Sequence, residues 1–584
     1  FFKQKTAYEI SLGLVGSEMC IRDRIVDGSG SPRFRADIGI QNGWIVELGR
    51  IRSKAKQTVD AESQIVAPGF IDGHTHMDAQ ISWDPLGSCS CWHGVTSVVM
   101  GNCGFALAPC QPGQREWIAR CLEAVEDIPT ESMIAGINWT WESFPEYLDA
   151  VGKLPKAINY GAFLGHSAIR MYIMGDRALY EVGSEEDLQR MGGLVADALN
   201  AGAFGFSTSR SSTHVTPDGT PVASRIADWS EIEYLVDVMT RHKRGIFQIA
   251  PDVESGEAHE AFFARLKEVS VNSTRPTMLG VFSTRQGQDP YSWQSQMNAL
   301  DDIAMAGGRV YGQTTTKSII AVFSLKSYLP FDNLPVWREL RQLPIVEQQK
   351  RFSDSNLRHA LIAEETEMKP RDDVVQGGGA ATTDPRKPNY GNLFALKGVD
   401  WDDPSLEELA QQKNQHPVEV MLDLMIQNEN QLFVQPINNE TPEDVLGMLL
   451  HPRTLATFSD SGAHVCQEMA SSLQTHLISY WVRGRGVFSL EEAIRMLTSD
   501  IASAFELSDR GLLRPGYRAD IVIFDEVAIK PRLPSVESDL PGGSRRLVQK
   551  ADGIAATFVN GVMTFRDGES TGSYPGEILR ANSP

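Results

Sequence analysis

The sequence predicts an α/β protein: a (β/α)8 barrel, a small β-sandwich domain formed by both chain ends, and a helical insertion near the barrel mouth. The first observation is that short strand-like apolar runs alternate with longer helix-like segments through the centre of the chain. The second is that turn-punctuated strand patterns stand at both ends. The third is length, because 584 residues exceed what one small core accommodates.

Composition is typical of globular proteins and narrows the choice of partners. Apolar residues make up 42% of the chain and charged residues 22%, and no run approaches the roughly 18 apolar residues of a membrane helix. The formal net charge of −21 repels nucleic acid and anionic lipid, so we expect neither as a partner. Seven cysteines, an odd number, do not indicate a disulfide framework, and we expect a reducing, cytoplasmic location.

Residues 1–24 do not match the rest of the chain and are predicted to be a non-native leader. Their last part, Ser17 to Arg24, reads S-E-M-C-I-R-D-R and looks like translated sequencing-adapter sequence. The apolar run Ile10–Val15 is short and no cleavage site comes after it, so a signal peptide is a poor interpretation. We therefore exclude this segment from the fold prediction and expect it to replace part of the natural first strand.

Residues 25–66 and 510–584 are predicted to form the β-sandwich domain together. Asn42-Gly43 separates two alternating apolar runs, which is a strong short-range signal for a β-hairpin. The same pattern returns at Asn560-Gly561, between Ala556–Val559 and Val562–Phe565. Two unrelated β appendages are the less favoured alternative.

Residues 67–509 are predicted to form the barrel. Its first strand lies in the stretch Ile65 to His76, where apolar residues are punctuated by Pro68 and Gly69. Helices are expected at Ser184–Ala201 and Trp229–Lys243, and residues from about 319 to 436 exceed a barrel loop and are interpreted as the insertion. The other seven strand candidates are Thr96–Met100, Ala157–Leu164, Ala203–Thr208, Gly245–Ile249, Thr277–Phe282, Arg309–Gln313 and Thr454–Asp460.

The C-terminal ends of the barrel strands carry the residues with metal chemistry. His74 and His76 are two residues apart, so on an extended strand they project to the same face, where two imidazoles can hold a divalent metal. Cys103 follows the second strand between Gly101 and Gly104, which free the backbone around a thiol that can ligate zinc. The alternative to a metal-binding role for Cys103 is a small buried residue that only packs. Asp460 follows the last strand, and the alternative to a functional role for it is a helix N-cap.

These motifs in combination resemble the N-acyl-D-amino-acid deacylase (D-aminoacylase) family of the amidohydrolase superfamily. The resemblance runs from about residue 25 to residue 567 and rests on P-G-F-I-D-G-H-T-H-x-D-A-Q, W-D-P, W-H-G-V-T-x-V-V-M-G-N-C-G and S-D-x-G-A-H-V. It implies a metal-dependent hydrolase that splits the linear amide of an N-acyl-D-amino acid, a small-molecule substrate, into a carboxylate and a free amino acid.

The resemblance also implies roles for single residues. Cys103 replaces the carboxylated lysine of many amidohydrolases, and Asp460 is both a neighbour of the metal and the carboxylate that moves the proton. His166, in G-H-S-A-I-R after strand three, is expected to orient the substrate or polarise its carbonyl, with a core histidine as the alternative. Arg210 and Arg285 lie near strand ends and are candidates to pair with a substrate carboxylate.

The sequence departs from this family at the fifth and sixth strands. The family carries a histidine at each, whereas this chain has Gln248 at the fifth, and Ser283-Thr284-Arg285 follows the sixth. The remaining ligands, His74, His76, Cys103 and Asp460, suit one Zn²⁺. The sequence leaves open whether a second ion binds, and His214, in the loop after strand four, is a candidate for an unforeseen ligand. The pair Cys89 and Cys91 is interpreted as packing residues.

Two other functions stay open on the sequence alone. A cyclic amidase of the hydantoinase or dihydroorotase kind normally needs a bridging lysine after strand four, and Ser207 to Arg210 offers none. A non-catalytic scaffold with the amidohydrolase fold is favoured by the missing histidines and disfavoured by the retained ligands. The sequence leaves the choice between a monomer and a homo-oligomer open.

Overall fold

The protein folds around an eight-stranded parallel barrel, as predicted. The structure is a computed structural model that describes residues 19–53, 55–61, 64–251, 257–283, 293–368, 387–397, 403–439, 441–465 and 470–581. The eight strands follow each other around the barrel in chain order. They are Phe70–Asp72, Val95–Met100, Asn159–Gly165, Gly205–Ser209, Ile246–Ala250, Thr277–Gly280, Val310–Thr314 and Thr454–Ala456.

Helices cover the outside of the barrel, and both predicted helices form. They run over Glu185–Ala201 and Trp229–His242 and end where Gly202 and Lys243 turn left-handed, so the predicted bounds had included cap residues. No helix in the described ranges is long and apolar enough to span a bilayer. The other helices outside the insertion are Arg115–Glu126, Thr130–Gly136, Phe144–Gly152, His166–Met174, Ala223–Ile226, Glu257–Ser273, Trp293–Met305, Pro442–Leu449, Leu473–His476, Leu490–Leu497 and Ser499–Ala504, with a π-helix at Leu477–Gly484.

The barrel closes through the residues that come after its first and last strands. His76 N donates to Ser461 O at 2.8 Å, and Asp460 N donates to His74 O at 3.2 Å. On the other side, Thr75 N donates to Val99 O at 3.1 Å. The segment that carries both histidines is therefore held between the second strand and the loop after the eighth.

The predicted stretch Ile65 to His76 divides between two sheets, which corrects its interpretation as one strand. Ile65–Pro68 pairs with Ile521–Phe524 in the terminal sheet, and the barrel strand begins only at Phe70. Gly69 lies between them because the chain passes close to strand two: a Cβ there would lie 2.2 Å from the Thr96 side chain.

The chain ends form one eight-stranded sheet. Both predicted hairpins are present, with Asn42-Gly43 and Asn560-Gly561 in the left-handed conformation that a two-residue turn requires. The backbone of residues 19–24, within the predicted leader, forms most of the strand Met19–Ile25. The strands of this terminal sheet in spatial order are Glu569–Ser570, Val562–Arg566, Ile554–Val559, Ile521–Phe524, Ile65–Pro68, Met19–Ile25, Phe34–Gln41 and Trp44–Gly49.

The insertion between strands seven and eight has its own hydrophobic core and contains a sheet as well as helices. Its outer strands, Ile319–Ser324 and Phe394–Ala395, flank Leu432–Asn438. Ile319 and Ile437 line the cavity at the barrel mouth, so the base of the insertion forms part of its wall. The helices are Pro335–Arg341, Ile345–Arg351, Ser355–Thr366, Leu406–Lys413 and Pro417–Gln427.

Candidate metal centre

Four residues with metal-ligating side chains meet at the C-terminal mouth of the barrel. His74 Nε2 lies 3.4 Å from Cys103 Sγ and 3.7 Å from Asp460 Oδ1, and His76 Nε2 lies 3.2 Å from the same oxygen. Within the described part of the chain, His74, His76 and Cys103 are the group whose ligand atoms all lie within 4.8 Å of one another. All four side chains line one cavity.

The loop that presents Cys103 is fixed by its neighbours. Cys103 has a positive φ of 56°, and Gly101 and Gly104 on either side are also left-handed. Gln248 Oε1 accepts from Cys103 N at 2.7 Å, and Ser207 Oγ accepts from Gly104 N at 3.1 Å. Such a backbone is costly for a cysteine and persists because the surrounding strands hold it, which aims the thiol at His74.

Two buried side chains orient the histidines from behind. His74 Nδ1 lies 3.1 Å from Gln313 Oε1, and His76 Nδ1 lies 3.3 Å from Glu126 Oε1. A partner at Nδ1 fixes the ring, so Nε2 of each imidazole faces the cavity. Glu126 is only 2% exposed although it is a carboxylate.

The sequence prediction did not include Glu126 or Gln313. Glu126 is the last residue of the helix Arg115–Glu126, where a negative charge is unfavourable to the helix dipole, and it lies one turn after the buried Leu122. An acid on the apolar face at that end was the available signal. Gln313 is a polar residue near the end of strand seven, the position that the barrel rule marks.

Burial and neighbouring charges set the protonation of the ligands. Burial lowers the pKa of His74 to about 4, which keeps the imidazole neutral, and raises the pKa of the Cys103 thiol to about 11. Burial alone would raise the pKa of Asp460, but the hydrogen bond and charge of His76 lower it below its usual range. Asp460 is therefore a carboxylate.

The donor set fits a zinc-like cation. Zinc bonds of about 2.0–2.3 Å in a tetrahedron place ligand atoms roughly 3.3–3.8 Å apart. The separations of His74 Nε2 from Cys103 Sγ and Asp460 Oδ1, 3.4 and 3.7 Å, lie in this range. Asp460 Oδ1 faces the two imidazoles and no other hydrogen-bond donor among the described residues, so a cation held by the histidines would also satisfy this oxygen.

Two further histidines line the cavity beside this group. His464 Nε2 lies 3.8 Å from both Glu126 Oε2 and Asp460 Oδ2. His214, considered as an unforeseen ligand, lies instead with Nδ1 2.7 Å from Ser209 Oγ and its ring edge against Phe105. His464 thus belongs to the charged cluster, whereas His214 forms part of the wall.

The structure does not bring His166 and Arg210 to this cavity, which corrects both predictions. The two ring nitrogens of His166 lie 2.8 Å from Thr208 Oγ1 and Glu231 Oε1, and the side chain is fully buried. Arg210 donates to the backbone oxygen of Ala227 at 2.6 Å and lies over the Trp229 ring. Arg285 lies outside the described residues.

The predicted cysteine pair also lies outside the cavity. Cys89 and Cys91 are buried, and Cys91 lies within the short 3-10 helix Ser90–His93. Neighbouring His93 contacts Thr475 Oγ1 at 2.8 Å and Gln549 O at 3.2 Å. Both cysteines are buried in the structure, as predicted.

Comparisons with known proteins find a family, and relatives that span nearly the whole chain. A model of the amidohydrolase family matches residues 57–318 and 386–565. An uncharacterised protein of Mycobacterium tuberculosis is 28% identical, over 95% of this chain and 93% of its own length. The D-aminoacylase of Alcaligenes xylosoxydans xylosoxydans is 26% identical, over 95% of this chain and 96% of its own.

Solved structures share the fold. N-acyl-D-glutamate deacylase from Bordetella bronchiseptica superposes with a TM-score of 0.61 at 21% identity, over 97% of this chain and 100% of that one. That enzyme was solved with zinc and a phosphonate inhibitor that mimics the tetrahedral intermediate of its reaction.

Proposed function

The chain belongs to the amidohydrolase family, and from this premise we propose that it is a metal-dependent hydrolase of linear N-acyl-D-amino acids. The observation that carries the proposal is the convergence of His74, His76, Cys103 and Asp460 at the barrel mouth. The D-aminoacylase relative, which spans nearly the whole chain, supports the substrate class. The reaction adds water across the amide and releases a carboxylate and a free amino acid.

The four converging residues would hold one Zn²⁺. A bound metal would polarise the amide carbonyl and lower the pKa of water at the site. Gln313 and Glu126 would keep the imidazoles of His74 and His76 aimed at it. Gln248 on strand five, where the resembled family has a histidine, supports one ion rather than two.

Asp460 would carry the proton. Its Oδ1 faces His74 and His76, its Oδ2 faces His464, and the side chain lines the cavity. As a base it takes a proton from the attacking water while the new C–O bond forms. It then gives that proton to the amide nitrogen, and the C–N bond breaks with a neutral amine as leaving group.

The wall of the cavity is suited to an acyl compound. Apolar side chains from the barrel and from the base of the insertion surround the polar floor: Val125, Phe282, Ile319, Ile437 and Phe458. Ser211, Thr213 and Asn438 add uncharged hydrogen-bonding groups. An apolar wall next to a charged floor accommodates an acyl chain beside its polar amide.

Metal content and a matched substrate screen test the proposal. Elemental mass spectrometry of the purified chain is expected to give about one metal per chain, reduced in Cys103→Ala. Paired N-acyl-D- and N-acyl-L-amino acids should then show hydrolysis of the D form only or predominantly.

Three results would count against the proposal. Equal rates on both enantiomers, or activity on cyclic amides alone, would overturn the substrate. A chain without metal even after incubation with zinc would favour the non-catalytic scaffold.

A further inference from the structure

We propose that the side-chain amide of Gln248 donates a hydrogen bond to the carbonyl oxygen of the scissile amide and stabilises the negative charge that develops there. This inference rests on the proposed hydrolase function and adds a catalytic residue to it. Gln248 stands on strand five, is fully buried and lines the cavity of the metal centre.

The orientation of the Gln248 amide is set by its contact with Cys103. The backbone N–H of Cys103 is a donor, so the atom that it meets at 2.7 Å must be the amide oxygen of Gln248. The amide nitrogen, Nε2, is therefore the other end of the group. Its two hydrogens remain for another acceptor.

Among the described residues, Nε2 of Gln248 has no hydrogen-bond partner. A buried N–H group left in this state destabilises the folded protein, so natural proteins seldom keep one without a reason. An N–H group cannot ligate a cation, because it presents hydrogen rather than a lone pair. The group it suits is an oxygen that carries negative charge.

The position of Gln248 indicates which oxygen of the substrate accepts this hydrogen bond. Its amide is fixed to the backbone of Cys103, whose Sγ lies 3.4 Å from His74 Nε2. The donor thus stands beside the ligand cluster, where the amide carbonyl must lie for water to attack. Gln248 stays neutral and forms no covalent bond, while its hydrogen bond strengthens as the carbonyl oxygen becomes an oxyanion.

Two substitutions separate this role from the support of Cys103. Gln248→Met removes both hydrogen bonds, whereas Gln248→Glu keeps the acceptor for Cys103 N and loses the donor. Loss of one preorganised oxyanion donor lowers kcat by about 10²–10³-fold. We expect that loss, with KM little changed, in Gln248→Met, and at least as large a loss in Gln248→Glu.

Two measurements besides turnover accompany the kinetics. Metal content of Gln248→Glu, which keeps the acceptor for Cys103 N, should equal that of the wild type by elemental mass spectrometry. The affinity for a phosphonate mimic of the tetrahedral intermediate should fall by about the same factor as kcat/KM, measured by calorimetry. Gln348→Met is the matched control: this buried amide lies in the insertion and contacts Arg341, so kcat and metal content should not change.

Four outcomes would overturn the inference. Full activity in Gln248→Glu would limit the residue to holding Cys103, and a rise in KM alone would assign the donor to another part of the substrate. A lower metal content in Gln248→Glu would place the effect at the ligands, and an unchanged affinity for the phosphonate would exclude contact with the oxyanion.

The proposed function can fail independently of Gln248. If the wild type cleaves a different amide, the substrate class is wrong, and the Gln248 variants still decide the inference on that amide. A wild type that neither cleaves any amide nor binds the phosphonate would overturn both.

Discussion

Two groups of histidines and carboxylates lie in this barrel, and they differ in whether their side chains face a cavity. Around His166, the imidazole contacts Thr208 and Glu231, and Arg170 donates to Glu231 at 2.6 Å. Around His74 and His76, the two imidazoles and the carboxylate of Asp460 line a cavity. The first group is closed to a ligand, and the second is open.

The comparison teaches that a histidine at a strand end indicates function only when its second nitrogen is available. Both nitrogens of His166 are engaged by protein groups, so it links strand four to the helix Trp229–His242. His74 and His76 each have Nδ1 engaged from behind and Nε2 directed to the cavity cluster. Substitutions in the two groups can test whether this division between structure and chemistry holds.

Asp460→Asn is expected to have the largest effect and would test the open group directly. Asparagine keeps the shape but cannot accept and return a proton, so kcat should fall by about 10²–10⁴-fold. The thermal unfolding midpoint should change little, because the residue is partly exposed. Steady-state kinetics and circular dichroism on the same sample measure both. Activity within about threefold of wild type would remove Asp460 from proton transfer.

Glu231→Gln tests the closed group, and we expect it to affect stability rather than chemistry at the metal centre. The substitution leaves the guanidinium of Arg170 buried without its counter-ion, which costs about 3–5 kcal/mol of unfolding free energy. Urea unfolding followed by circular dichroism measures the loss. Metal content per folded chain should stay at the wild-type level. A stable variant with depleted metal would contradict the division between the two groups.

The stability of the folded protein should also depend on pH through Glu231 of the closed group. Burial opposes the charge of Glu231, but His166 and Arg170 together lower its pKa from 4.5 to about 2. A lowered carboxyl pKa contributes stability above the unfolded value, and that contribution, about 3 kcal/mol, is lost as pH falls from 4.5 towards 2. Urea midpoints over this range should fall more steeply in wild type than in Glu231→Gln. Parallel curves would show that Glu231 does not stay ionised in the folded protein.

Glu126→Gln should give the smallest of these effects, and it tests whether the carboxylate behind His76 orients that imidazole. Loss of a carboxylate that orients a metal-binding imidazole weakens metal affinity by about 10–100-fold. Competition with a chromophoric zinc chelator measures it. Glu123→Gln, an exposed carboxylate three residues earlier on the same helix, is the control and should bind metal like wild type. Equal affinities in the two variants would limit Glu126 to packing.

Sequence alone was sufficient for the parts of the fold that depend on local signals. The eight barrel strands are short apolar runs, and Asn-Gly pairs mark both terminal hairpins, so each element was visible within about ten residues. The convergence of His74, His76 and Cys103 could then be expected from the rule that strand ends meet at one face, whereas Asp460 joined them through the family resemblance. Gly69 was visible as punctuation, but its close approach to Thr96 was not, and the predicted boundary between residues 66 and 67 fell inside the strand Ile65–Pro68.

The remaining features of the site depend on which side chains meet across the fold. Glu126 belongs to a helix whose rotation brings its last residue under His76, and no local pattern gives that rotation. His166 and Arg210 occupy strand ends as predicted, yet buried partners on neighbouring elements engage them. Gln248 was correctly recognised as a departure, but its contact with Cys103 N appears only in three dimensions.

The strand that leads into the barrel pairs with a strand from near the other end of the chain, and this pairing has a consequence for synthesis on the ribosome. The strand Ile65–Pro68 leads through Gly69 to the histidines, and it pairs with Ile521–Phe524, which is made roughly 450 residues later, or about 20–90 s at 5–20 residues per second. Until then the strand has one open edge. The nascent chain therefore completes the support of the segment that carries His74 and His76 only after all eight barrel strands have been made.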